Sequence, residues 1–254
     1  MVILENITKR FKHKQRKNFS RFLVVQTIKT LLTRNRINNN TPDYFNALDG
    51  LSLKVSPGER VGILGKNKAG KTTLMQVISG ITVPTSGRLE VRGRVIPIFA
   101  QGAVITPDQT GREYIYLHAA ALGYRPKEVD AVVEDVIAFS GITNIDSLIR
   151  IYSTGMRTRL TLSLVLHLQA DIYIFDEAFY GSDVFFKEKA IDRFKEIMQD
   201  PSKTMILVSH NEDIIRTFCN RLIILEDGKL LADSDVDSIF KRYLSTDAMR
   251  IITE

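Results

Sequence analysis

The sequence predicts an α/β fold around a mostly parallel sheet, on three observations. Strand-like and helix-like segments alternate along the chain. Several strand segments, such as IYIF before Asp176 and MILV before Ser209, are apolar throughout, as strands buried on both faces are. A mostly helical lobe is inserted near 105–168. The 254 residues, 44% hydrophobic and 25% charged, have ordinary globular composition and read as one domain over 1–254.

The elements follow in order. Residues 2–11 alternate enough to form a strand. ALDGLSLKV (47–55) forms another, a turn follows at Pro57-Gly58, and the apolar RVGILG (60–65) is a third. Lys71 to Ser79 reads as a helix closed by Gly80, and short strands fall within 88–100. Two helices are expected over 110–141, split at Gly123 to Pro126 and stopped at Gly141. Gly155 to Leu168 is a further helix, DIYIFDE (171–177) a buried strand, 184–199 a charged helix and TMILVSH (204–210) a second buried strand. RLIILEDGKLLAD (221–233) reads as a hairpin turning at Asp227-Gly228, and a short helix starts at Asp235.

Residues 12–43 break this pattern. Phe19 to Leu32 spaces its apolar residues nearly as a helix does, and Asn38 to Pro42 is a loop signal, so 12–43 reads as an inserted amphipathic helix with a linker. No Asp or Glu occurs between Asn6 and Pro42, where ten Lys or Arg residues lie. The net charge of +6 therefore belongs to this block, and the rest of the chain is slightly acidic. Such a block points to an anionic surface: lipid headgroups, a polyanionic substrate or nucleic acid. No apolar run approaches the roughly 20 residues of a membrane span. The N-terminus lacks a signal-peptide pattern, and the lone Cys219, beside Ile214, Phe218 and Leu222, reads as core packing in a reducing compartment. A soluble, intracellular chain is the expectation.

Gly65-Lys66-Asn67-Lys68-Ala69-Gly70-Lys71-Thr72 fits G-x-x-x-x-G-K-[ST] between an apolar strand and a helix, the context this phosphate-binding loop requires. Its backbone N–H groups converge on one point, Gly70 lets the backbone approach, and the helix from Lys71 adds its positive end. Lys71 reaches the β- and γ-phosphates, and the Thr72 hydroxyl, followed by Thr73, binds Mg²⁺. Asp176 closes an apolar strand, where it can hold Mg²⁺, and Glu177 beside it can polarise the attacking water. His210 ends the next apolar strand, within reach of a γ-phosphate.

Tyr152-Ser153-Thr154-Gly155-Met156, ahead of a helix, resembles the ABC ATPase signature usually written LSGGQ. With the motifs above, spread from residue 11 to residue 210, the chain resembles an ABC transporter ATP-binding subunit. The resemblance implies a P-loop ABC cassette with a parallel sheet core, an antiparallel β lobe and a helical lobe at 105–168 carrying the signature. It implies ATP and Mg²⁺ as ligands, with Lys71, Glu177 and His210 catalytic and Thr72, Gln101 and Asp176 at the metal. Phe11 falls where the family stacks an aromatic ring on adenine, with plain core packing as the alternative. Gln101 falls at the family's Q-loop and Asp183 at its D-loop. Ser153, Thr154, Gly155 and Met156 would serve ATP held by a second copy of the chain. Lys68, Thr154 and Met156 depart from the usual Gly, Gly and Gln; Lys68 would either sit beside its own phosphates or, the favoured reading, reach Asp183 or Ser182 of the partner.

YSTGMR (152–157), TGREYIYL (110–117) and DEAFYGSDVFFKEKA (176–190) resemble the ATPase subunits that export lipid-linked polysaccharide: capsule, O-antigen or teichoic acid. The last match is blurred by Ser182 between Gly181 and Asp183. The chain ends at Glu254 and is expected to lack the C-terminal carbohydrate-binding domain of some O-antigen members. The implied partners are a second copy, a separate integral membrane subunit and the polysaccharide itself, at the cytoplasmic face of the inner membrane; no nucleic acid is expected. The alternatives are an ABC ATPase of another exporter or importer, or a soluble ABC-type ATPase acting on nucleic acid or ribosomes.

Overall fold

The computed structural model describes residues 1–12, 44–99, 108–176 and 184–244. Two sheets carry the fold. The larger has six strands: β3 (Arg60–Leu64), β5 (Val95–Phe99), β6 (Ile172–Asp176), β7 (Thr204–Val208), β8 (Arg221–Glu226) and β9 (Lys229–Asp235). Their order is β5-β6-β7-β3-β8-β9. Every pairing from β5 to β8 is parallel, and only the β8–β9 hairpin, turning at Asp227-Gly228, is antiparallel. The smaller sheet is antiparallel, with β1 (Val2–Lys12) between β2 (Tyr44–Val55) and β4 (Ser86–Val91). This is the mixed architecture expected: the antiparallel strands form their own sheet, packed on the parallel one over a shared core.

The apolar runs end up where their composition sends them. All five residues of β7 are buried, and so are the first four of β6. Alternate side chains of β6 enter different layers. Tyr173 and Phe175 join the core beneath the helical lobe, whereas Ile172 and Ile174 join a second core beneath α1 (Lys71–Ile78) and the antiparallel sheet. A parallel sheet covered on both faces needs such strands.

The helical lobe corrects one expectation. In place of two helices over 110–141 there are three: α2 (Gly111–Ala121), α3 (Pro126–Asp130) and α4 (Val133–Ser140). Val132, at φ −128° and ψ −9°, is not helical and separates the last two. Gly141, left-handed at φ 66°, ends α4 as expected. α5 (Thr154–His167) and α6 (Val184–Ile197) match the sequence reading to within two residues. A further helix, α7 (Glu212–Phe218), was not foreseen; Asn211 caps it by accepting from the Ile214 N–H at 3.0 Å. α8 (Val236–Leu244) closes the described chain. Lys12 belongs to β1, so the insertion read as 12–43 begins no earlier than residue 13; the rest of it lies outside the described residues. Cys219 is buried, and burial pushes its thiol up to about 12, so it packs as expected.

Candidate functional site

The register of the parallel strands sets the site. Asp176 pairs with Val208 on one side and Phe99 on the other, and Val208 pairs with Ile63. The carboxyl ends of β3, β5, β6 and β7 therefore meet at one sheet edge, where ligands of open α/β sheets bind. The loop after β3, the carboxylate ending β6 and the histidine after β7 all emerge there.

The loop from Gly65 to Gly70 is held in a conformation that few side chains adopt. Gly70 is the N-cap of α1, left-handed at φ 104°, and a Cβ there would run into the Ala47 carbonyl oxygen. Lys68 is also left-handed, at φ 71°. The Ala69 N–H donates to Lys66 O at 3.1 Å, and Ala69 O accepts from the Gly228 N–H at 3.0 Å. Gly228 O in turn accepts from the Asp49 N–H at 3.0 Å, so the β8–β9 turn braces the loop from behind. No side chain caps the start of α1. Its first-turn N–H groups, which have no acceptor within the helix, are left for an anion.

Lys71 is buried, and its ammonium donates to the carbonyls of Gly65 and Lys66, the latter at 3.0 Å. The Thr72 hydroxyl donates to Asp176 Oδ2 at 2.9 Å. A hydroxyl and a carboxylate side by side, next to a buried lysine and a helix start, are the oxygen donor set of Mg²⁺ beside phosphate. The residues present thus fit both a triphosphate and its metal. Asn67, Lys68, Ala69, Gly70, Lys71, Thr72 and Thr73 line one cavity of about 1040 Å³ together with Asp176 and Phe11.

The remaining candidates fall elsewhere. Exposed His210 sits two residues past β7, at the same edge but not in the cavity wall. Ser153 caps α5, its Oγ accepting from the Met156 N–H at 3.2 Å. Ser153 and Thr154 are exposed, and none of Ser153, Thr154, Gly155 and Met156 lines the cavity. Glu177, Gln101 and Asp183 lie outside the described residues.

Two features escaped the sequence reading. Phe45 lines the cavity beside Phe11; its signal was an aromatic residue at the start of the strand that pairs with Phe11. A polar chain also reaches the cavity from the helical lobe, where Tyr114, His118 and Thr161 all line it. Thr161 donates to Arg157 O at 3.0 Å, Tyr114 OH contacts Thr161 Oγ1 at 2.7 Å, and His118 Nδ1 contacts Tyr114 OH at 2.8 Å. Burial pushes the His118 imidazole down to about 4 and the Tyr114 phenol up to about 12, so both are neutral at pH 7.

Known proteins are similar to this chain in sequence and fold. A family model described as ABC transporter matches residues 48–180. The chain is 37% identical over 220 residues to the teichoic acids export ATP-binding protein TagH of Enterococcus faecalis, covering 86% of this chain and 48% of that protein. It is 35% identical over 200 residues to the ABC transporter protein AbcA of Aeromonas salmonicida, covering 78% of this chain and 65% of that one. It is also 35% identical over 198 residues to the O-antigen export system ATP-binding protein RfbB of Klebsiella pneumoniae, covering 78% and 80%. The chain thus spans about half to two-thirds of the length of the first two. The ATP-binding cassette MJ0796, solved as a dimer in a post-hydrolysis state with ADP and Pi, superposes with a TM-score of 0.71 at 20% identity, over 93% of this chain and 99% of that one. That likeness establishes the fold, and with the family match and the relatives it leads to one conclusion: the chain belongs to the ABC transporter family.

Proposed function

We propose that this chain binds and hydrolyses ATP as a pair of identical copies, and that the cycle drives export of a lipid-linked polysaccharide (capsule, O-antigen or teichoic acid) through a separate integral membrane subunit. The observation that carries the ATP chemistry is the buried Lys71 beside the Thr72–Asp176 pair in one cavity. Support for the cargo comes from relatives at 35–37% identity named for teichoic acid and O-antigen export.

Each residue has a place in this reading. Lys71 exchanges its carbonyl contacts for the β- and γ-phosphates. Thr72 and Asp176 would hold Mg²⁺, whose chemistry is to neutralise phosphate charge, and Gln101 is proposed as a further ligand from the resemblance. Glu177 takes a proton from the attacking water; the water oxygen bonds to the γ-phosphorus as the bond to the β–γ bridging oxygen breaks and ADP leaves. His210 steadies the γ-phosphate. Ser153, Thr154, Gly155 and Met156 come from the second copy; in one chain they stand outside the cavity. By its place in the sequence after Glu177, Asp183 is proposed to meet Lys68 of the other copy.

Among the described residues no helix is long and apolar enough to cross a membrane. A peripheral position at the cytoplasmic face of the inner membrane, beneath the membrane subunit, is the corresponding proposal, with the basic stretch 12–43 facing that surface.

The test begins with Glu177→Gln. It should bind ATP like the parent and turn over about 10²–10⁴ times more slowly, as expected for a lost general base. Near-parental turnover would remove Glu177 from this role. For the cargo, a strain carrying Glu177→Gln should accumulate polysaccharide inside; unchanged surface polysaccharide would point to another exporter or importer.

A further inference from the structure

Beyond the phosphate loop the cavity continues to two aromatic rings. Phe11, near the end of β1, and Phe45, near the start of β2, are direct partners in the antiparallel register. Their ring centroids lie 5.9 Å apart with the planes inclined by 32°, and both rings line the cavity. Lys9 holds its ammonium 5.2 Å from the Phe11 centroid and donates to Val83 O at 2.7 Å. That cation takes up one approach to Phe11 and ties the chain after α1 to β1. Phe11 is half-buried; Phe45 is 45% exposed and is the more accessible ring.

We propose that Phe45 is a base-contacting residue. With Phe11 it forms a two-ring seat for the base of the bound nucleoside triphosphate, one that favours purines over pyrimidines. This inference rests on the nucleotide reading above. Stacking is driven by the flat π-face that every base has, and it tolerates differences at the base edge. Neither phenyl ring carries a donor or an acceptor, so the seat reads no base edge and accepts adenine and guanine alike. What it does distinguish is extent. A bicyclic base overlaps both rings of a pair centred 5.9 Å apart more fully than a single pyrimidine ring does.

The chain has no tryptophan, so Phe45→Trp places one fluorescent reporter at the seat. ATP and GTP, titrated into the full chain, should change the indole emission, whereas inorganic tripolyphosphate should bind without changing it. Phe45→Ala should weaken ATP binding in calorimetry by about 5- to 150-fold, the range for losing one base–aromatic stack. It should leave tripolyphosphate binding unaltered and narrow the preference for ATP over CTP, while Phe45→Tyr keeps the parental affinity. If Phe45→Ala binds ATP as tightly as the parent, or if tripolyphosphate and ATP shift the indole emission alike, Phe45 does not touch the base and the nucleotide reading stands without it. If neither ATP nor tripolyphosphate binds the parent chain, the nucleotide reading itself falls, and the seat with it.

Discussion

At Lys68 a long charged side chain occupies a left-handed backbone position, φ 71°, inside the phosphate loop. Asn6 and Asp227 are the other non-glycine residues with positive φ among the described residues, and short polar side chains of that kind tolerate it. Lysine has no such relief, and the conformation costs it about 1–2 kcal/mol. Lys68→Gly should therefore raise unfolding stability in urea by about 1 kcal/mol. Because the side chain is exposed, nucleotide affinity of the single chain should change by less than about threefold. An unchanged urea midpoint would mean that the loop carries no strain at this position, and a large drop in affinity would place Lys68 on its own nucleotide. Lys68, Gly70, Lys71 and Thr72 were legible because their motif is local: one loop of fixed length between a strand and a helix. Phe45 was not, because its link to Phe11 is a cross-strand register that skips the whole insertion and leaves no spacing to read.

Among the elements, α2 shows what local rules capture and what they leave out. Its start is written in sequence as Thr110-x-x-Glu113, and both halves of that capping box form: the Glu113 N–H donates to Thr110 Oγ1 at 3.2 Å, and the Thr110 N–H donates to Glu113 Oε2 at 2.8 Å. Its buried face carries His118, which contacts Tyr114 one turn earlier on the same helix; the link from Tyr114 on to Thr161 of α5 is the part that α2 alone does not show. That imidazole has a measurable consequence. Its pKa falls from an ordinary 6.5 to about 4 in the fold. Between those values the unfolded chain binds a proton that the folded chain does not, so stability falls as the pH drops from 6.5 towards 4, by about 3 kcal/mol in all. Urea unfolding of His118→Gln, compared with the parent at pH 7 and pH 4.5, should lack most of this loss; an identical decline in both chains would contradict the assignment. Long periodic elements such as α5 and α6 were read to within two residues. The short α3 and α7, of five and seven residues, escaped as separate helices because one or two turns carry too little periodicity to stand out from a neighbouring turn.

Across the whole molecule, three layers fix one working edge. The parallel sheet lies between two hydrophobic cores, one under the helical lobe and one under α1 and the antiparallel sheet. Its strand ends deliver the loop of Gly65–Gly70 and Asp176 to a single cavity, while Ser153, Thr154, Gly155 and Met156 at the α5 start lie outside it. On the proposed reading, a site split in this way is complete only when a second chain offers its α5 start, and that is the central claim. Ser153 lets it be tested without disturbing the fold, because aspartate caps a helix as well as serine does but repels phosphate. The measurement is the solution mass, by sedimentation, of the slow-turnover variant Glu177→Gln, one chain being 28.8 kDa. Without ATP it should sediment as a single chain, and with saturating ATP as two; adding Ser153→Asp should return it to a single chain that still binds ATP. A chain that is saturated with ATP yet stays at one-chain mass, or a pair that forms regardless of Ser153, would contradict the composite site.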